Sequence, residues 1–537
     1  MKKQLYTTIK KFFVSGLFVI LFYQSSAQGF STQTDQQLKA VLQQFYDPSM
    51  VGGISVAIKV DGVAMWQGVV GYASQNTDVG FPQPPVEVLE AGDAFRMYSV
   101  TKTFTASLVL ELARQKVFNL DDQITKWVPV SALQAQGLNT NVTIRQLLAH
   151  ESGYSDYVTN PAILAAVGLD LSRVWQPLEI LPFVSQNTIT ARQYSSTNYI
   201  LLGHIIEQAT GQTVQQLFRT RFIQPLQLQS VYLDVREQKP AGLTLASPHE
   251  NLQLFGVPLP VPVVANVGVF PFTAIGSLAF TGGGMIGNAA DMAEWGNSLY
   301  GGRVIHKKSL DAMISSISNT PDADDDYLGY GIFSNNKVST TERFYGHNGS
   351  GPGYRALMWY QPDRKMTIAI LSNTSQVDVW PLAKALFEAL PVFMCGNKDD
   401  KLVVCQNGIE RCIARAAAGN AVRNGAVLGG CDASGRDAFT QVSPANHQLA
   451  MQANLKLYPN PAKDVAMLQI NAVSAGDALV NIYDLSGRHI TTVFNGRLVQ
   501  GETKQLRLDT RKMSNGVYLV NIVTAAGTSQ HKLIVNR

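Results

Sequence analysis

The chain has 537 residues, 46% hydrophobic and 15% charged, with a formal net charge of +4. That is enough apolar sequence to bury a sizeable core and fits two or three domains. The four lysines Lys2, Lys3, Lys10 and Lys11 account for the whole net charge, so the remainder is balanced and gives no sign of a nucleic-acid partner.

Those lysines precede the apolar run Phe12 to Tyr23 and then Ser25-Ser26-Ala27, so residues 1–27 read as a secretory signal peptide cleaved after Ala27. The run is too short for a comfortable membrane span, and no Cys follows it to take a lipid. The mature chain is therefore expected to be exported, without a transmembrane span.

From Gln36 the spacing of Leu38, Val41, Leu42 and Phe45 predicts a helix. Strands are expected over Gly53 to Val60 and Ala64 to Tyr72, joined at Asp61-Gly62, so the body is mixed α/β. A turn-like Glu90-Ala91-Gly92-Asp93 then leads into Ser99-Val100-Thr101-Lys102 and the apolar run Phe104 to Leu112. On a helix, residues three apart share a face, so a Ser hydroxyl and a Lys amine at this spacing can share a hydrogen bond. The pair is a nucleophile with its proton acceptor only if burial lowers the Lys pKa. Phe104, Leu108, Val109 and Leu112 make the helix apolar on more than one side, which supplies that burial. Ser334 with Lys337 and Ser529 with Lys532 repeat the spacing, but neither sits on a helix pattern.

Val142 to Gly153 reads as a helix running into a glycine turn, with His150 at its end assigned a structural role, and Tyr199 to Ala209 as a helix ending at Gly211. The Pro-rich stretch between Phe255 and Phe272 reads as a surface loop that could line or cover a pocket. Thr281-Gly-Gly-Gly284 lacks the Gly-x-x-x-x-Gly-Lys-Ser/Thr pattern, so its glycines are read as close backbone packing beside a pocket and not as a phosphate loop. Tyr354 to Tyr360 and Met366 to Leu371 close the domain as a hairpin.

All four Cys lie between Cys395 and Cys431. In an exported chain this suggests two disulfides within a module over 393–445, with Cys405 and Cys412 able to pair across the hairpin signal Asn407-Gly408; a zinc site is the alternative. Short strands separated by turn residues then predict a small C-terminal β-sandwich over 455–537.

Two further stretches follow Ser99 in the chain: Tyr194-Ser195-Ser196, and His347-Asn348-Gly349-Ser350. In this order, together with Thr143-Ile-Arg-Gln-Leu-Leu-Ala-His150, residues 35–390 resemble the serine β-lactamase and penicillin-binding superfamily, nearest to class C β-lactamases and related esterases and D-amino-acid peptidases. Tyr458-Pro-Asn-Pro461, Ile482-Tyr-Asp-Leu-Ser-Gly487 and Gly516-Val-Tyr-Leu519 resemble the C-terminal sorting domain of type IX secretion cargo.

The first resemblance implies an antiparallel sheet with a helical subdomain and a metal-free, cofactor-free serine hydrolase. Ser99 would form an acyl-enzyme, Lys102 and Tyr194 would share the proton work, and Ser196, His347, Gly349 and Ser350 would hold substrate and oxyanion. The substrate would be a small ester, a peptide or a peptidoglycan-derived compound, with a D-amino-acid peptidase, carboxypeptidase or esterase placed ahead of a true β-lactamase. A non-catalytic cell-surface binding protein is the other class of reading. The second resemblance implies passage across the outer membrane of a Gram-negative bacterium by the type IX machinery, to the surface or the medium. His347 stands where β-lactamases carry Lys, so a substrate-facing imidazole would favour neutral esters, with penicillin gaining as pH falls toward 6.

Overall fold

The computed structural model describes residues 24–47, 50–77, 84–188, 192–252, 263–391, 393–395, 401–431, 455–471, 476–484, 489–499, 501–511, 513–524 and 527–536. The Lys-rich start and the Pro-rich stretch up to residue 262 lie outside them, and beyond it Val264–Asn266 is a short strand paired with His249–Asn251, where a loop was expected. The chain divides into two units, residues 1–433 and 434–537.

The first unit is built on one antiparallel sheet whose strands come from both ends of the domain. In spatial order they are Gln24–Gln28, Ala64–Ser74, Gly53–Val60, Met366–Ser372, Tyr354–Gln361, Tyr345–Gly351, Phe333–Ser334 and Tyr327–Leu328, with Glu87–Val88 also pairing against Ala64–Ser74. Both hairpins read from the sequence are present, and Gly53–Val60 pairs with Met366–Ser372 in a register that sets Ala57 opposite Ala369. Successive side chains alternate between two cores, as the pleat requires. Ile54, Val56, Ile58, Trp359, Ile368 and Ile370 face one, under the helices Thr32–Gln44 and Val379–Ala389. Ala57, Ala356, Met358 and Ala369 face the other, toward the Ala289–Tyr300 helix and the helical subdomain.

The helix expected from Gln36 is Thr32–Gln44, capped by Ser31. The one expected over Val142 to Gly153 is shorter, Ile144–Leu148, with Thr143 and Gln146 forming a capping box. It ends early because His150 adopts a left-handed φ of 58°. The helix after Tyr194 runs from Ser196 to Thr210 and stops at Gly211, whose φ of +66° suits a residue without Cβ.

Residues 401–431 form a three-stranded sheet, Lys401–Gln406, Ile409–Ala414 and Val427–Leu428, with the helix Arg415–Arg423. Their apolar side chains Leu402, Val404, Ala418, Val422 and Leu428 join the core of Leu38 and Trp66, so this region packs into the first unit. The hairpin at Asn407-Gly408 is present, but Cys405 and Cys412 do not pair with each other. The register sets Cys405 opposite Glu410 and Cys412 opposite Val403, and the bridges are Cys395–Cys412 and Cys405–Cys431. With all four sulfurs so bonded, the zinc alternative is excluded.

The second unit is a β-sandwich. Leu455–Tyr458, Val465–Asn471 and Thr503–Asp509 make one sheet, and His489–Leu498, Gly476–Asp484, Gly516–Thr524 and Gly527–Val535 the other. Leu468, Val480, Ile482, Leu508, Val520 and Leu533 fill the space between them. Ser529 and Lys532 both fall in one of these strands, which disposes of that Ser-x-x-Lys match.

Peptide mapping under non-reducing conditions should recover Cys395 with Cys412 and Cys405 with Cys431, and no free thiol. Removing the second bridge as Cys405→Ser with Cys431→Ser frees a loop spanning 26 residues. Chemical denaturation should then show a loss of about 3 kcal/mol; an unchanged midpoint would mean the bridge does not constrain the unfolded chain.

Candidate active site

Ser99 lies in a short 3-10 turn, Tyr98–Val100, that feeds directly into the helix Thr101–Arg114. Every residue of that helix from Thr101 to Leu112 is buried. Its polar side chains are satisfied inside: the Trp295 indole donates to Thr103 Oγ1 at 2.7 Å, and Thr105 donates to the Thr281 carbonyl at 2.7 Å. The turn itself is held against the strand Met285–Gly287, through Met97 N to the Met285 carbonyl and Met285 N to Thr101 Oγ1. Tyr98 takes a φ of +42°, a conformation L side chains resist, and is fixed by its hydroxyl donating to the Pro352 carbonyl at 3.0 Å.

Lys102 is wholly buried, and its Nζ donates to three acceptors: Ser99 Oγ at 3.0 Å, Ser196 Oγ at 3.3 Å and the Gly282 carbonyl at 2.7 Å. Burial lowers its pKa to about 7, with the Asp156 carboxylate opposing that shift. The amine can thus be neutral at physiological pH, as a proton acceptor must be. Tyr194 is hydrogen-bonded to Ser99 and Ser196, and burial pushes its phenol above the ordinary tyrosine range, which makes it a poor base by itself.

Two neighbours were not legible as site residues. His150 stacks on the Tyr194 ring at 4.8 Å between centroids, and its Nδ1 accepts from Ser195 N at 3.1 Å. Burial, then Lys102, keep it well below the usual imidazole range, so it is a neutral shelf under Tyr194. Asp156 is hydrogen-bonded to Ser196 and faces Lys102. Only its position immediately before the short 3-10 helix Tyr157–Thr159, as its N-cap, could have marked it.

These groups open onto a cavity of about 1090 Å³. Ser99, Tyr194, Ser196, Gly282, Gly283, Asn348 and Ser350 line it, so the glycines after Thr281 do sit beside a pocket. His347 does not line it. It is 2% exposed, set edge-on to Phe333, with its Nδ1 2.6 Å from the Asn348 carbonyl oxygen. Burial, then Lys102, lower its pKa to about 3. The expectation of a substrate-facing imidazole that charges near pH 6 is therefore corrected: this ring stays neutral, and Asn348 and Ser350 present the third motif to the cavity. Gly349 is corrected in the same way, since a Cβ there would stand 2.1 Å from the Met97 carbonyl oxygen. The glycine lets the strand close on the chain leading to Ser99. Ser334 and Lys337 bind elsewhere, to the Phe344 carbonyl and to Asp326.

Among the described residues, the lining includes the carboxylates of Asp156, Asp322, Asp324 and Asp326 and no Lys or Arg. Asp326 is paired with Lys337 at 3.0 Å, and Asp322 accepts from the backbone of its own loop. The face offered to a ligand is thus neutral to acidic.

Comparison with known proteins agrees with this geometry. The family model described as Beta-lactamase matches residues 38–389, and a Secretion system C-terminal sorting domain matches 456–536. The chain is 27% identical to Protein flp of Staphylococcus aureus (strain MW2) over 37% of its own length and 38% of that protein's. It is 24% identical to Penicillin-binding protein 4* of Bacillus subtilis (strain 168), over 54% and 62%. The chain therefore spans less than two thirds of these relatives. Among solved structures, a D-stereospecific amidohydrolase from Streptomyces sp. superposes with a TM-score of 0.54 at 25% identity, covering 66% of this chain and 98% of that one.

Gly349→Ala should displace either the strand or the Ser99 turn and lower kcat/KM on a chromogenic ester by about a hundredfold, the usual effect of a 1 Å misplacement. Gly92→Ala, whose Cβ would meet nothing within 4 Å, is the control and should change neither rate nor Tm. Equal behaviour of the two variants would refute the close-approach role.

Proposed function

The chain belongs to the beta-lactamase family and carries a Secretion system C-terminal sorting domain, and from that premise we propose that it is an exported serine hydrolase whose Ser99 forms an acyl-enzyme with esters or D-aminoacyl amides in preference to β-lactams. The observation that carries the catalytic part is the contact of the buried Lys102 amine with Ser99 Oγ at 3.0 Å. With a pKa lowered to about 7, Lys102 is the base that takes the Ser99 proton, and Tyr194, bonded to both Ser99 and Ser196, gives its phenolic proton to the leaving group and is reprotonated from Lys102 through the Ser196 hydroxyl. General base help of this kind contributes typically 10²–10⁴-fold. The backbone N–H groups of Ser99 and Ser350 hold the oxyanion, and Asn348 and Ser196 contact the substrate.

The preference rests on charge. A β-lactam or a peptide C-terminus brings a carboxylate, and a charge-assisted bond to it would be about twice as strong as a neutral one. Among the described residues the cavity lining offers no cation for that bond and adds carboxylates of its own. Neutral esters, and amides bearing a free ammonium group, avoid the repulsion. An amidase or aminopeptidase is favoured over the carboxypeptidase reading, and the likeness to the D-stereospecific amidohydrolase supports it. The signal peptide and its cleavage near Ala27 belong to the same proposal. Such cleavage would remove all but Gln28 of the edge strand Gln24–Gln28.

Ser99→Ala should abolish turnover and labelling by a fluorophosphonate; labelling of that variant would put the nucleophile elsewhere. In the wild type, kcat/KM on an ester should rise with pH through about 7 as Lys102 loses its proton. Since the Asp156 carboxylate raises the Lys102 pKa, Asp156→Asn should move that limb to lower pH. A shift to higher pH would show that another group controls the rate. His347 should add no inflection between pH 5 and 8, because its imidazole is neutral throughout.

A further inference from the structure

The helix Pro161–Leu169 has the sequence Pro-Ala-Ile-Leu-Ala-Ala-Val-Gly-Leu, without one charged or hydrogen-bonding side chain. A helix apolar all round is normally buried on all sides. This one is not: Ile163 and Val167 are buried, while Leu164 is 63% and Leu169 88% exposed. Val158, just before it, is 47% exposed. Other surface helices of the unit, such as Thr32–Gln44 and Lys307–Ser315, carry polar and charged outer faces.

The exposed strip continues into the active site. Val158, Ile163, Leu164 and Val167 line the same cavity as Ser99, so its wall takes in both the buried side of the helix and the solvent-exposed Leu164. Leu278 and Phe270 add to the apolar lining. A volume of about 1090 Å³ is at the upper end for small-molecule sites and far exceeds what an acetyl or alanyl group would fill.

We propose that the substrate carries a long apolar chain, an acyl or alkyl group of medium length, which leaves the Ser99 cavity along the Pro161–Leu169 helix. This rests on the serine hydrolase reading and specifies its substrate as a lipophilic ester or amide. The chain covers Leu164 and Val158, which otherwise stand in water, and the cavity's neutral to acidic polar groups stay at the reacting end.

The test uses the mature chain with two series of esters, p-nitrophenyl esters from acetyl to dodecanoyl and alkyl acetates from methyl to octyl. The first series varies the acyl side and the second the alcohol side. A fully buried methylene contributes about fourfold, and a chain lying in an open groove less. We expect kcat/KM to rise by at least about tenfold between the two-carbon and eight-carbon members of one series. Leu164→Asp should lower that long-to-short ratio by about tenfold, whereas Ile409→Asp, an exposed apolar position in the disulfide-bonded region, should leave it unchanged. Ser99→Ala should be inactive on every ester. Ser99-dependent activity that is flat or falls with length in both series would overturn the inference and leave the hydrolase reading standing. A rise insensitive to Leu164→Asp would overturn the path along this helix. Activity surviving in Ser99→Ala would refute the hydrolase reading itself.

Discussion

The structure depends on keeping one ammonium group out of water. Lys102 is buried in a helix that is itself buried from Thr101 to Leu112, and its three acceptors come from three parts of the chain: Ser99, Ser196 and Gly282. An ionised amine in such a place is costly unless hydrogen-bonded, and the balance of burial against the Asp156 carboxylate brings its pKa to about 7. The surrounding fold answers to that requirement. The Met285–Gly287 strand fixes the Ser99 turn, the glycines near 282 let a carbonyl reach Nζ, and His150 supports the Tyr194 ring above it.

The same burial determines what the third motif can do. His347 lies close enough to Lys102 that a second cation there would face both desolvation and repulsion, so a neutral ring is the stable choice. The motif then presents Asn348 and Ser350 to the cavity, and the charge of the cavity is left to the aspartates on its walls. A pocket so lined, with apolar side chains on its far wall, suits neutral or cationic groups better than a carboxylate, which is the ground of the proposed preference.

Export and covalent reinforcement go together in this chain. The Secretion system C-terminal sorting domain forms its own sandwich with its own core, and Cys395, Cys405, Cys412 and Cys431 are all in disulfides, the state an oxidising compartment favours. The bridged region shares the core of Leu38 and Trp66, so its bridges secure the hydrolase unit near its N-terminal segment, where Phe30 pairs with Leu428.

By itself the sequence determined whatever depends on spacing along one element. Ser99 and Lys102 are three apart on a helix, Tyr354 to Leu371 is a hairpin, and the short strands after residue 455 make a sandwich; each is written locally, in side-chain period and turn residues. The order of three motifs was enough to bring Tyr194 and the 347–350 strand to Ser99. Tertiary structure alone decided what depends on approach between distant segments. That His347 points away from the cavity, that Gly349 clears the Met97 carbonyl, that His150 lies under Tyr194 and that Asp156 faces Lys102 are relations between residues dozens to hundreds of positions apart. The disulfide partners were decided the same way, because strand register set Cys405 opposite Glu410 and left Cys431 and Cys395 to complete the bridges. Burial, which fixes the charge of both Lys102 and His347, is a property of the packed chain and is not written at either position.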